Sequence, residues 1–153
     1  MLIISMLILK EVIHLEKSLH YLLLITHTSF YKKTLSEVAK IGLSPGQPKI
    51  LEFLKTNNGS EQKKISQSCE LEPATVTGIL GRMENAGLIE RKQLNGNRRS
   101  LYVFLTDKGE KKSNEIDEIF KKLEKMAFVN ISEEKQKFFL EMLFKLYTNL
   151  SAD

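Results

Sequence analysis

The sequence predicts a mainly α-helical fold with one small β-hairpin, an α+β arrangement. Three observations predict it. Apolar residues recur at threes and fours along most of the chain, the spacing of helix faces. Two short helical segments are separated by only a few residues, ending at Pro73, a spacing too tight for antiparallel packing. The periodicity then switches to alternation on either side of Asn95 and Gly96, the dipeptide most typical of hairpin turns. Two short helices meeting steeply, followed by a β-hairpin, make a winged helix-turn-helix.

Length and composition agree with one compact unit. The chain has 153 residues, enough to bury a core without disulfides or metal. Hydrophobic residues are 42% and charged residues 27%, the profile of a soluble globular protein. A net charge of +4 leans towards a polyanionic partner. A single cysteine excludes an internal disulfide and a cysteine-rich zinc site. The apolar run of residues 1–9, MLIISMLIL, falls short of the ~20 residues that span a bilayer. It lacks the flanks of a signal peptide, so the expected location is cytoplasmic, without membrane contact.

The elements follow in order. From about residue 11 to 39, Leu15, Leu19, Leu22, Thr26 and Phe30 form one helical stripe, and Gly42 ends it. Ser44 with Gln47 makes a capping box that would put Pro45 at the first helical position; Pro48 offers a later start. That second helix carries Ile50, Leu51 and Leu54. Ser60 is placed to cap a short helix over residues 61–69, with Ile65 inward. Pro73 opens the helix over residues 74–86, and Gly87 stops it. Strands are expected at residues 89–94 and 100–106. Thr106 or Asp107 caps a long helix to about Phe128, with Ile116, Ile119, Phe120, Leu123, Met126 and Ala127 on its stripe. Ser132 caps the last helix, which carries Phe138, Phe139, Met142, Leu143, Leu146, Tyr147 and Leu150. The wide apolar stripes at both chain ends exceed what the middle section can cover, which predicts a two-fold dimer. Three parts result: an N-terminal dimerisation helix (1–42), a winged helix-turn-helix (43–106) and C-terminal dimerisation helices (107–153).

The helix after Pro73 carries the clearest chemistry. Val76, Ile79, Leu80 and Met83 share one side and are expected in the core. Ala74, Thr75, Thr77, Gly78, Gly81, Arg82 and Asn85 then face outward. Each glycine inside a helix costs about 1 kcal/mol relative to alanine, so two need a reason. One reason is close approach to a DNA groove, where threonine and Arg82 can meet base edges and phosphates. The other is close packing against a neighbouring helix. The hairpin tip holds Asn97, Arg98 and Arg99, shaped to enter a minor groove. Arg91, Lys92, Lys108, Lys111 and Lys112 are further phosphate candidates.

These segments resemble the MarR family. The resemblance rests on Leu43, Ser44, Pro45, Gly46 and Gln47; on Pro73, Ala74, Thr75, Val76 and Thr77; on the run from Arg82 to Arg91; on Arg98 and Arg99; and on Leu105, Thr106, Asp107, Lys108 and Gly109. It is densest over residues 43–109. It implies a homodimeric winged-helix regulator of transcription, probed against double-stranded DNA at a palindromic operator and acting as a repressor or an activator. It also implies release by a small phenolic or lipophilic effector. By the resemblance, Thr75, Thr77, Gly78 and Arg82 map to the groove-reading helix and Arg98 and Arg99 to the wing. Asn97 stands where the family usually has aspartate, so the ion pair that would orient the wing is absent.

The alternative function is a winged-helix module that docks a protein and binds no specific DNA. No phosphate-binding glycine loop, HExxH pair or nucleophile elbow argues for an enzyme. No cofactor or metal is expected. Cys69 reads as buried filler. His14, His20 and His27 share the first helix and read as surface or dimer-seam residues.

Overall fold

Six helices and a small sheet occupy the residues described by the computed structural model, 18–93 and 100–152. They are α1 (Leu19–Lys40), α2 (Gln47–Thr56), β1 (Ser60–Glu61), α3 (Gln62–Ser68), α4 (Pro73–Asn85), β2 (Ile89–Lys92), β3 (Tyr102–Leu105), α5 (Asp107–Ala127) and α6 (Glu133–Ser151). The mainly helical winged architecture is the one the sequence predicts. The expected hairpin tip, with Asn97, Arg98 and Arg99, lies outside the described residues, as does the chain before Ser18.

Helix ends follow local chemistry. α1 closes with the Leu43 amide on the Val38 carbonyl and the Gly42 amide on that of Ala39, the paired bonds of a Schellman motif. α4 closes the same way: Leu88 donates to Met83 and Gly87 to Glu84, with Gly87 at φ 69°. α3 repeats the device with Glu70 in the left-handed position at φ 49°, a conformation that costs a side chain more than glycine. That turn spans residues 69–72 and aims α4 away from α3. At the start of α2 the capping box is half formed: the Ser44 amide donates to Gln47 Oε1 at 2.9 Å. The helix begins at Gln47, so Pro48 and not Pro45 lies in its first turn.

One element departs from the expectation. Ser60 does not cap a helix. It pairs with Val103, and Glu61 with Tyr102, as an antiparallel edge strand. The sheet therefore has three strands in the order β1-β3-β2. Ser60 Oγ donates instead to the Asn57 carbonyl at 2.7 Å. The β2–β3 ladder runs from Ile89 opposite Leu105 to Lys92 opposite Tyr102, shorter at both strands than expected. Thr106 is the cap of α5, its hydroxyl accepting from the Gly109 amide.

The core lies among α2–α4 and the sheet and takes in Val38 of α1 and Ile116, Ile119 and Leu123 of α5. Ile50, Leu51, Leu54, Ile65, Val76, Leu80, Met83, Val103 and Ile116 are fully buried. α5 packs on α2 and α1 through Ile116, Ile119 and Leu123. Its stripe then leaves the core: Met126 is 46% exposed. The first-helix stripe also departs, since Leu19, Leu22 and Leu24 are exposed while Thr34 and Val38 are the buried residues of α1. α6 buries no residue at all. Phe138, Phe139, Leu140, Met142, Leu143, Phe144, Tyr147 and Leu150 are all exposed on it.

Candidate nucleic-acid interface

The face of α4 divides as its sequence predicts. Val76, Ile79, Leu80 and Met83 are buried, Ala74, Thr75, Thr77, Gly78, Arg82 and Asn85 are exposed, and Gly81, expected outward, is half-buried. The glycines decide between the two reasons for them. A Cβ added at Gly81 meets nothing within 4 Å, and one at Gly78 meets only Arg82 Nη1 at 3.6 Å, an ordinary contact. Among the described residues, no neighbouring helix crowds either glycine. What they leave is a slim outward surface bordered by a guanidinium that makes no ion pair among the described residues.

Thr77 is more committed than its neighbours. Its hydroxyl donates to the Pro73 carbonyl at 2.9 Å and accepts from Gln62 Nε2 at 2.6 Å. Gln62, the first residue of α3, also donates its backbone amide to the Leu101 carbonyl at the base of the wing. Sequence reasoning passed over Gln62; only the Thr77 bond reveals it, because fifteen residues of chain separate the two.

The basic residues around the helix sort differently from the expectation. Arg91 is not available to a phosphate: its Nε and Nη2 donate to Glu84 Oε2 at 3.0 and 2.5 Å, and its backbone amide donates to Glu84 Oε1. The Arg91 guanidinium holds the Glu84 carboxyl below the usual carboxylate range. Lys108 donates to the Ala86 carbonyl at 2.7 Å, closing the end of α4. Lys112 pairs with Glu115 at 2.9 Å, and Lys92 pairs with Glu90 while lying over the Phe104 ring. Lys111 stays exposed without a partner among the described residues. Glu70 and Glu72 flank the start of α4, both exposed, so the helix favours close contact along its length rather than phosphate at its tip.

Of the other candidates, His14 lies outside the described residues. Cys69 is buried, its thiol near the Lys49 carbonyl, and burial pushes its pKa up. His27 stacks on Tyr31 with ring centroids 5.7 Å apart. Among the described residues, no cluster of three or more potential metal ligands exists. Nor is any helix among them long and apolar enough to cross a membrane. An open cleft of about 450 Å³ lies beside α3, lined by Gln62, Lys63, Ser66, Gln67, Pro73 and Leu101.

A short helix, a tight turn, a second helix with a slim polar face and a β-hairpin beside it define a winged helix-turn-helix protein of the nucleic-acid-binding kind. The MarR family profile matches residues 43–101. The uncharacterized HTH-type transcriptional regulator YwoH of Bacillus subtilis strain 168 is 31% identical over 116 residues, which is 76% of this chain and 83% of YwoH. The chain belongs to the MarR family. Among solved structures, the transcriptional repressor CouR bound to a 23-mer DNA duplex is 25% identical with a TM-score of 0.79, covering 87% of this chain and 94% of CouR. The S. aureus MepR–DNA complex gives the same fold with a TM-score of 0.79 at 22% identity, covering 89% of this chain and all of MepR (100%).

Proposed function

We propose that the protein binds a palindromic operator as a homodimer and represses transcription by occluding a promoter. Residues 43–106 would contact DNA, and residues 1–42 and 107–153 would join two copies. Ala74, Thr75, Thr77, Gly78 and Arg82 would lie along a major groove, with Asn97, Arg98 and Arg99 in the adjacent minor groove. The two copies of α4 would enter successive major grooves about 34 Å apart. The observation that carries this reading is the outward face of α4, which carries two glycines although no described residue crowds either position. The DNA-bound states of CouR and MepR support it. The exposed apolar side of α6 supports the pairing. A small phenolic or lipophilic effector would act by favouring a dimer with mismatched helix spacing, a shift of population. The protein would work in the cytoplasm, with no chemistry of its own to catalyse.

The test is a titration of selected and random duplexes at several salt concentrations. Arg82→Ala is expected to lower affinity and change base preference. Arg98→Ala is expected to weaken all duplexes and to reduce the salt slope by about one contact per half-site. Equal affinity for selected and random DNA would overturn sequence-specific recognition. Failure to bind DNA at all would favour a protein-docking module.

A further inference from the structure

Which part of Thr77 is left to read a base follows from its hydrogen bonds. A threonine hydroxyl has one proton to donate and two lone pairs to accept with. The Pro73 carbonyl can only accept, so the proton goes there, over 2.9 Å. Gln62 must then present its amide nitrogen rather than its oxygen, and it does so at 2.6 Å. The chain of donors runs Gln62 to Thr77 to Pro73, each bond polarising the next. Gln62 is itself held at the base of the wing, its backbone amide 3.1 Å from the Leu101 carbonyl. Threonine is stiff at χ1, so an oxygen held back towards Pro73 fixes the methyl as well. Thr77 remains exposed.

We infer that the Thr77 hydroxyl is held inside the protein, its proton by the Pro73 carbonyl and one lone pair by Gln62, so that Thr77 recognises DNA through its methyl group. The hydroxyl has no proton left for the acceptors that guanine and thymine offer in the major groove. The methyl suits the C5-methyl of thymine. Thr77 is thus a selector for thymine, and Gln62 is the positioning residue that keeps a lone pair of its hydroxyl from the amino groups of adenine and cytosine. This rests on the operator-binding reading above.

The experiment separates the two. Duplexes are selected from a randomised library with the full-length protein. Each thymine of the selected half-site is then replaced by uracil, which deletes only the methyl. Wild type, Thr77→Ser and Thr77→Val are titrated on each duplex. One thymine per half-site is expected to give a loss of about fourfold with wild type and with Thr77→Val, the worth of one methyl contact. Thr77→Ser, which keeps the hydroxyl bonds and lacks the methyl, is expected to show no such loss at that position. An equal uracil penalty in Thr77→Ser, or no penalty at any thymine, overturns the inference and leaves operator binding intact. Failure of the library to enrich any sequence overturns operator binding and the inference together. Gln62→Met frees one lone pair of the hydroxyl, not its proton, and is expected to admit the amino-bearing bases adenine and cytosine at that one base pair. A uniform loss on all sequences would instead make Gln62 a backbone contact and end its positioning role.

Discussion

Two residues hold the β2 side of α4 in place. Glu84 and Arg91 join α4 to β2 by three hydrogen bonds, two of them between the charged groups. The folded Glu84 carboxyl titrates below its unfolded value. The pair therefore stabilises above the ordinary carboxylate range, and its contribution fades as pH falls through the depressed value. Glu84→Gln is expected to cost about 1 kcal/mol at pH 7, with the difference from wild type shrinking towards pH 3, measured by urea unfolding at both. A difference that grew on acidification would contradict the assignment. Gly109 is a second tight point: a Cβ there would overlap the Leu88 carbonyl oxygen. Gly109→Ala should lower stability by about 3 kcal/mol, read from the shift in urea midpoint. Glu84 with Arg91 was illegible in the sequence, because a turn folds them together and an exposed-looking arginine resembles a phosphate contact. Gly109 was visible only as part of a family resemblance.

At the scale of elements, periodicity located the helices well and misjudged short pieces. The division of α4 into buried Val76, Ile79, Leu80 and Met83 and exposed Thr75, Thr77 and Arg82 needed only its 3.6-residue spacing. β1 escaped because two residues carry no alternation; Ser60 and Glu61 are a strand only through their pairing with Val103 and Tyr102. Serine before a helix is a common cap, and tertiary pairing overrode that local preference. The α1 periodicity predicts a stripe through Leu19 and Leu22, yet the core takes Thr34 and Val38, since only the last turns of α1 reach the winged lobe. Glycine inside α4 yields a stability test. Gly81→Ala has open space around the new methyl and is expected to raise stability by about 1 kcal/mol in thermal or urea unfolding. The same change at Gly78 should stabilise similarly while lowering DNA affinity, if the slim surface serves a groove. Loss of stability in either variant would show that another element needs the glycine.

At the scale of the whole molecule, apolar surface is distributed unevenly. The winged lobe is well filled, whereas α6 carries Phe138, Phe144 at 66% exposure and Leu150 at 77% on a helix with no buried residue. Contiguous apolar surface of this kind marks an interface. Phe144→Glu is expected to convert a dimer to a monomer in sedimentation velocity, without lowering the stability of the winged lobe. A variant that sediments as wild type would place the interface elsewhere. The excess of stripes over core predicts dimerisation. Which residues meet across it was not legible, because one chain does not contain its own partner. A helix that buries no residue against its own chain would, in the proposed dimer, tie folding to supply. At low copy number such a segment should fray, and amide exchange in it should quicken on dilution; the cell could then tune this protein simply by how much of it is made.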